Sequence, residues 1–195
     1  MIWFSSDWHG FHKNIAGPAV SKWKKGYRDF NSVPEMNDII ITTINKYVKH
    51  DDTIYFLGDF AFADSKKIND FRWRINCQTI HFLYGNHDDE IREDKNLQTL
   101  FTTVKDVDFI TISGKHFFLS HYSHRVWPGS HRGNIHLYGH SHDSIPDYGK
   151  SMDVGIDVAY RMYGEYRPFS VTEIIDIMDK KDIAEIDHHV LKNPN

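Results

Sequence analysis

A formal net charge of −4 over 195 residues leaves no basic field, which argues against a protein that grips long nucleic acid mainly through its phosphates. Apolar residues make up 40% of the chain and Phe, Trp and Tyr 14%, enough to bury the core of one domain spanning residues 1–195. Cys77 is the only cysteine, so no disulfide framework and no thiolate zinc site is available. With no basic leader and no long apolar run, the chain reads as soluble and cytoplasmic.

Ile2 to Ser5 forms a first predicted strand, followed at once by Asp7 and His9. Residues i and i+2 of an extended segment point the same way, so both can reach one point. His12 and Asn14 follow, and residues 16–34, with Gly17, Pro18, Gly26 and the basic patch Lys22, Lys24, Lys25 and Arg28, form an irregular excursion flanking the site. The patch is read as a solvated face. Helical spacing of apolar residues runs from Glu35 to Lys49 behind Pro34, and Thr53 to Leu57 is the next strand, ending in Gly58-Asp59. A helix over Ser65 to Asn76, with Ser65 as N-cap, leads into the strand from Thr79, which breaks at Gly85-Asn86-His87-Asp88.

A charged, helical segment over Asp88 to Phe101 is followed by two strands, Val104 to Ile112 and Lys115 to Leu119, turning at Ser113-Gly114. The second ends in Ser120-His121. Ser123 to Asn134 is a loop carrying Arg125, Trp127, His131 and Arg132, a set suited to a phosphate and base-stacking wall or to an ordinary surface loop. Ile135 to Tyr138 is a strand ending in Gly139-His140-Ser141-His142, and Met152 to Val158 is read as one more. Ser170 to Glu173 is a capping box that opens a last helix.

Five strand tips therefore end in metal-competent side chains: Asp7 and His9, Asp59, Asn86 and His87, His121, and His140 and His142. Hydrogen-bonded strand ends are the plain alternative, but five such tips in one chain share a cause. The chain holds 14 histidines, more than packing or solubility requires, and many lie at these tips. Two Asp, one Asn and several His, with no sulfur, exceed a closed tetrahedral site and suit two adjacent transition ions sharing a carboxylate. His81, His116 and His136 lie within strands and are assigned to packing or surface, and His50, His188 and His189 to solvent.

Asp7-x-His9, Gly58-Asp59, Gly85-Asn86-His87-Asp88, His121 and Gly139-His140-x-His142 resemble, in order, the motif series of the calcineurin-like metallophosphoesterases. Phe4-Ser5-Ser6-Asp7, His12-x-Asn14-Ile15 and Arg167-Pro168 are similar to a small branch found in bacteria and phages. The resemblance implies a mixed α/β fold, a four-layer αββα sandwich of two mixed sheets with metals at the strand ends. It implies that Asp7, His9, Asp59 and His142 hold one ion, and bridging Asp59, Asn86, His121 and His140 a second, manganese first, with iron, nickel or zinc as alternatives. His87 would act on the phosphate or leaving oxygen, with Asp88 orienting it, while His12, Asn14, Arg125 and Trp127 are candidate substrate contacts.

The activity implied is hydrolysis of a small nucleotide-type phosphodiester by a hydroxide shared between the ions. A nucleotide or protein phosphomonoesterase, and a non-catalytic scaffold that has kept the fold, are the alternatives. The expected partner is a small phosphorylated substrate rather than a membrane or a long nucleic acid.

Overall fold

The computed structural model describes residues 1–21 and 28–184, and it carries nine strands and six α-helices among them. Lys22, Lys24 and Lys25 of the basic patch, and His188 and His189, lie outside the described residues. The first half of the chain alternates strand and helix as predicted: β1 (Ile2–Ser5), α1 (Val33–Tyr47), β2 (Thr53–Phe56), α2 (Ser65–Trp73) and β3 (Thr79–Leu83). Ser32 caps α1 by accepting from the Glu35 N–H, with a proline in the first turn. Asp64, not Ser65, caps α2 through the Lys67 N–H, a shift of one residue from the expected cap.

β1, β2 and β3 run parallel and are joined by β4 (Thr103–Lys105) at one edge and antiparallel β9 (Phe169–Ser170) at the other, in the order β4-β3-β2-β1-β9. A second sheet takes β5 (Val107–Ile112), β6 (Lys115–Ser120), β7 (Ile135–Tyr138) and β8 (Ser151–Asp153) in that order, with only β5 antiparallel. The fold is thus mixed α/β with two mixed sheets.

Period-2 alternation assigns the faces of the first sheet. Trp3, Ile54, Phe56, Ile80 and Phe82 pack outward against Met36, Ile40 and Ile44 of α1 and Ile68 and Phe71 of α2. Phe4, Leu57 and Leu83 face the second sheet, where they join Phe117, Leu119 and Leu137; the Phe4 and Phe117 rings stack at 5.6 Å. The same core takes Val158 and Ala159 from α5 (Ile156–Tyr163) and Ile174 and Met178 from α6 (Val171–Asp179). The predicted capping box at Ser170 and Glu173 is formed.

Three sequence expectations are corrected. The single strand from Val104 to Ile112 is two, because the chain leaves the first sheet at Lys105 and enters the second at Val107. The charged helix over Asp88 to Phe101 is broken into α3 (Asp89–Glu93) and α4 (Lys95–Gln98), since Asp94 turns extended and caps the second piece through the Asn96 N–H. The strand from Met152 ends at Asp153, and Val158 lies in a helix because α5 must turn its apolar side into the inter-sheet core. No described helix is long and apolar enough to cross a membrane.

Candidate metal centre

The parallel strands of both sheets deliver their C-terminal ends to one place, where rigid strands hold polar loops open to solvent. A parallel bridge between Ser6 and Gly155 joins the two sheets there. Five of the seven predicted ligands sit in left-handed backbone: Asp7 (φ 58°), His9 (50°), Asp59 (60°), His140 (65°) and His142 (46°). For a residue with a side chain this costs about 1–3 kcal/mol and persists only where the surroundings dictate it. Here the loops dictate it to one another: the Asp7 N–H donates to the Gly58 carbonyl at 2.9 Å and the His9 N–H to the Asp59 carbonyl at 3.0 Å. Gly85 makes the approach possible, because a Cβ there would lie 2.2 Å from Asp59 Oδ1 and 2.5 Å from the Asp59 backbone nitrogen.

The donor atoms fall into two groups, each within 4.8 Å: Asp7, His9 and His142, and Asp59, His121 and His140. In the first, His9 Nε2 and His142 Nε2 are 3.2 Å apart, and each is 3.7 Å from Asp7 Oδ1. In the second, Asn86 Oδ1 is 3.0 Å from His121 Nε2 and 2.8 Å from His140 Nδ1. Asp59 Oδ2 lies between the groups, 3.4 Å from His9 Nε2 and 3.5 Å from His121 Nε2. All seven predicted ligands are thus brought together, with Asp59 in the shared position.

His121, His9 and Asp7 present donor atoms that suit a cation. His121 Nδ1 lies 2.7 Å from the Leu57 carbonyl, which can only accept, so the proton is on Nδ1 and the Nε2 lone pair faces the group. Burial lowers the pKa of His9, keeping the imidazole neutral as a ligand must be. Burial alone would raise Asp7, but the pull of His9, His142 and His121 holds it well below the usual carboxylate range.

A cleft of about 540 Å³ opens over both groups and is lined by His12, His87, Tyr122 and Ile145 among others. His87 belongs to neither donor group. Its backbone N–H donates to Asp59 Oδ1 at 2.9 Å, while its ring is 5.4 Å from that of His9 and 5.6 Å from that of His12. The His12 ring packs at 4.8 Å on Phe62, an aromatic side chain more than half exposed beside the cleft.

The remaining predicted site residues are elsewhere. Asp88 does not reach for the His87 ring: its carboxylate accepts from the backbone N–H groups of Asp59 (2.7 Å), Phe60 (2.9 Å) and Gly85 (2.7 Å), so it ties two strand tips together. Burial, with the charge of Asp59, pushes it up to about 6. Asn14 is exposed and accepts from the Ser21 hydroxyl. Arg125 stands over the Tyr148 ring on the surface and is not among the residues that line the cleft. Trp127 is buried on the outer face of the second sheet, packed on His136 and donating to the Asn134 carbonyl, so it cannot stack a base.

Sequence reasoning missed Arg28 and Asp157. Arg28 is buried, not a solvated surface cation, and its guanidinium pairs with Asp157, whose Oδ2 is 2.7 Å from His142 Nδ1. Arg28 was hidden in a run of basic residues and Asp157 in a segment read as a strand. Asp153, also missed, is buried at the end of β8, where burial and the charge of Asp7 push it up to about 8.

Two mixed sheets thus bring paired donor groups together on their strand ends. No protein-family model matches the chain. It is 28% identical over 192 residues to the uncharacterized protein MJ1445 of Methanocaldococcus jannaschii, with 94% of each chain covered. A solved structure of similar fold is the protein of unknown function AQ665 from Aquifex aeolicus, with a TM-score of 0.64, 23% identity, and 91% of this chain and 98% of that one covered. More distant likenesses are to a novel archaeal phosphodiesterase (TM-score 0.47, 21% identity, 79% and 82% covered) and to the phosphoesterase YfcE of E. coli (TM-score 0.44, 14% identity, 80% and 78% covered).

Proposed function

We propose that this chain is a metal-dependent phosphoesterase that hydrolyses a small nucleotide-type phosphodiester. The observation that carries the reading is Asp59 Oδ2, set 3.4 Å and 3.5 Å from the facing nitrogens of two separate donor groups. Asp7, His9, Asp59 and His142 would hold one divalent ion and Asp59, Asn86, His121 and His140 the other. The donor set of nitrogen and oxygen favours manganese, iron, nickel or zinc over magnesium or calcium. Bound there, the ions supply Lewis acidity toward phosphoryl oxygens and lower the pKa of coordinated water.

The protein's own residues do the rest. Asp59 takes part twice, its Oδ2 between the two groups and its Oδ1 fixing the His87 backbone. That contact sets the His87 ring at the rim of the cleft, free of both donor groups, where it can give a proton to the departing ester oxygen. His12 flanks the same space and can orient the phosphate. Asp88 holds the Asp59 and Gly85 turns in register through three backbone N–H groups and acts as a positioning residue.

A cleft of about 540 Å³ suits a small ester rather than a polymer, and the net charge of −4 agrees. The test is a panel of mono- and diesters, cyclic nucleotides included, assayed with Mn²⁺, Ni²⁺, Zn²⁺ and Fe²⁺ added separately. Turnover of diesters above monoesters is the expected result. Preference for monoesters would reassign the substrate, and no turnover with any metal would overturn the reading.

A further inference from the structure

Arg28 and Asp157 are 129 residues apart in sequence and form a buried ion pair behind the candidate metal centre. The Arg28 side chain is fully buried, and its fork meets the carboxylate twice, Nε to Oδ1 at 2.9 Å and Nη2 to Oδ2 at 3.1 Å. The same guanidinium donates to the Asp7 carbonyl at 2.6 Å and the Trp8 carbonyl at 2.9 Å. Asp157 Oδ2, in turn, is 2.7 Å from His142 Nδ1.

We infer that Arg28 and Asp157 form a buried strut that sets the His142 ring and the Asp7–His9 turn together, as positioning residues for the Asp7, His9 and His142 group. The inference rests on the phosphoesterase reading for its metal, and on the geometry alone for the strut.

Stability alone does not call for an ion pair here. A buried ion pair is often matched by apolar side chains of similar volume. Apolar side chains cannot hold two backbone carbonyls and an imidazole at once. Asp7 and His9 stand at φ 58° and 50°, so their turn needs an outside anchor, and the carbonyls between them end on Arg28. A carboxylate on Nδ1 keeps a proton there and turns Nε2 of His142 toward Asp7 Oδ1 and His9 Nε2. The other group is fixed differently: His121 rests on the neutral Leu57 carbonyl. Arg72 supplies an internal contrast, a buried arginine that among the described residues is bound only to the carbonyls of Ile75, Cys77, Gln78 and Leu100, where it closes a turn.

The test is calorimetric titration of Mn²⁺ into the metal-free protein and into the double variant Arg28→Met/Asp157→Leu. The variant replaces the pair by apolar volume and is expected to keep its fold. Expected is a tenfold to hundredfold loss of affinity for one of two ions, with the other unchanged. Unchanged affinity for both, or equal loss at both, overturns the strut. If the double variant does not fold, Arg28→Lys, which keeps the charge but lacks the fork, must weaken the same ion. A second measurement needs no variant: ¹⁵N-labelled imidazole spectra of the metal-free wild type should report His142 protonated on Nδ1. An Nδ1 without a proton overturns the inference. A wild type that binds no Mn²⁺ counts against the phosphoesterase reading and leaves the tautomer to decide the strut.

Discussion

The Nε2 atoms of His9 and His142 face each other across 3.2 Å, each 3.7 Å from Asp7 Oδ1. A cation bound among these three side chains would take up both nitrogens and the carboxylate at once, and the left-handed backbone at both histidines is held by the surrounding loops. A metal that binds the folded chain alone stabilises it by about 2.7 kcal/mol at a concentration 100 times Kd. Thermal unfolding should therefore shift upward by several degrees on adding Mn²⁺, and back on adding a chelator, while Asp7→Ala should show a much smaller shift.

Asp88 is the second case, since its role differs from the expected one. Replacing it with Ala leaves the N–H groups of Asp59, Phe60 and Gly85 without their acceptor. Each buried orphan costs about 1–3 kcal/mol. Asp88→Ala should lose at least about 3 kcal/mol in urea unfolding and bind metal more weakly. A residue that only oriented His87 would lower turnover with stability intact.

Trp127 separates packing from recognition. It is buried against Phe118 and His136, so Trp127→Ala should destabilise by about 3–5 kcal/mol. KM for an aromatic diester, measured below the unfolding range, should stay as in the wild type. A several-fold rise in KM would restore the base-stacking role.

His136 gives a pH dependence away from the metal centre. It is fully buried, accepts from the His124 N–H at 2.9 Å on Nε2, and burial brings its pKa down from 6.5 to about 4. Between these values the unfolded chain takes up a proton that the fold refuses. The contribution is present above pH 6.5 and is lost as pH falls toward 4, by about 3 kcal/mol in all. Urea unfolding at pH 7, 5.5 and 4.5 should show this decline, and His136→Phe should make it shallower while costing stability at pH 7 through the orphaned His124 N–H.

Much of the site was legible because its signals are local. An apolar run broken by glycine and followed by Asp, Asn or His marks a strand tip wherever it occurs, and five of them placed all seven donor residues. The sheet edges were less legible: β4 and β5 read as one strand because nothing in residues 104–112 marks the step from one sheet to the other. Arg28 and Asp157 meet over 129 residues, a pairing that no sequence spacing encodes. Trp127 and Asp88 carry the right residue types for recognition and catalysis, but their surroundings turn them inward, one into a core and the other onto backbone N–H groups.

The most direct test of the account is to measure bound manganese per chain and turnover of bis(p-nitrophenyl) phosphate together, in the wild type, Asp59→Ala and His87→Ala. The account predicts two ions and turnover in the wild type, loss of both metal and turnover in Asp59→Ala, and two ions with turnover abolished in His87→Ala. Full turnover in both variants would contradict it.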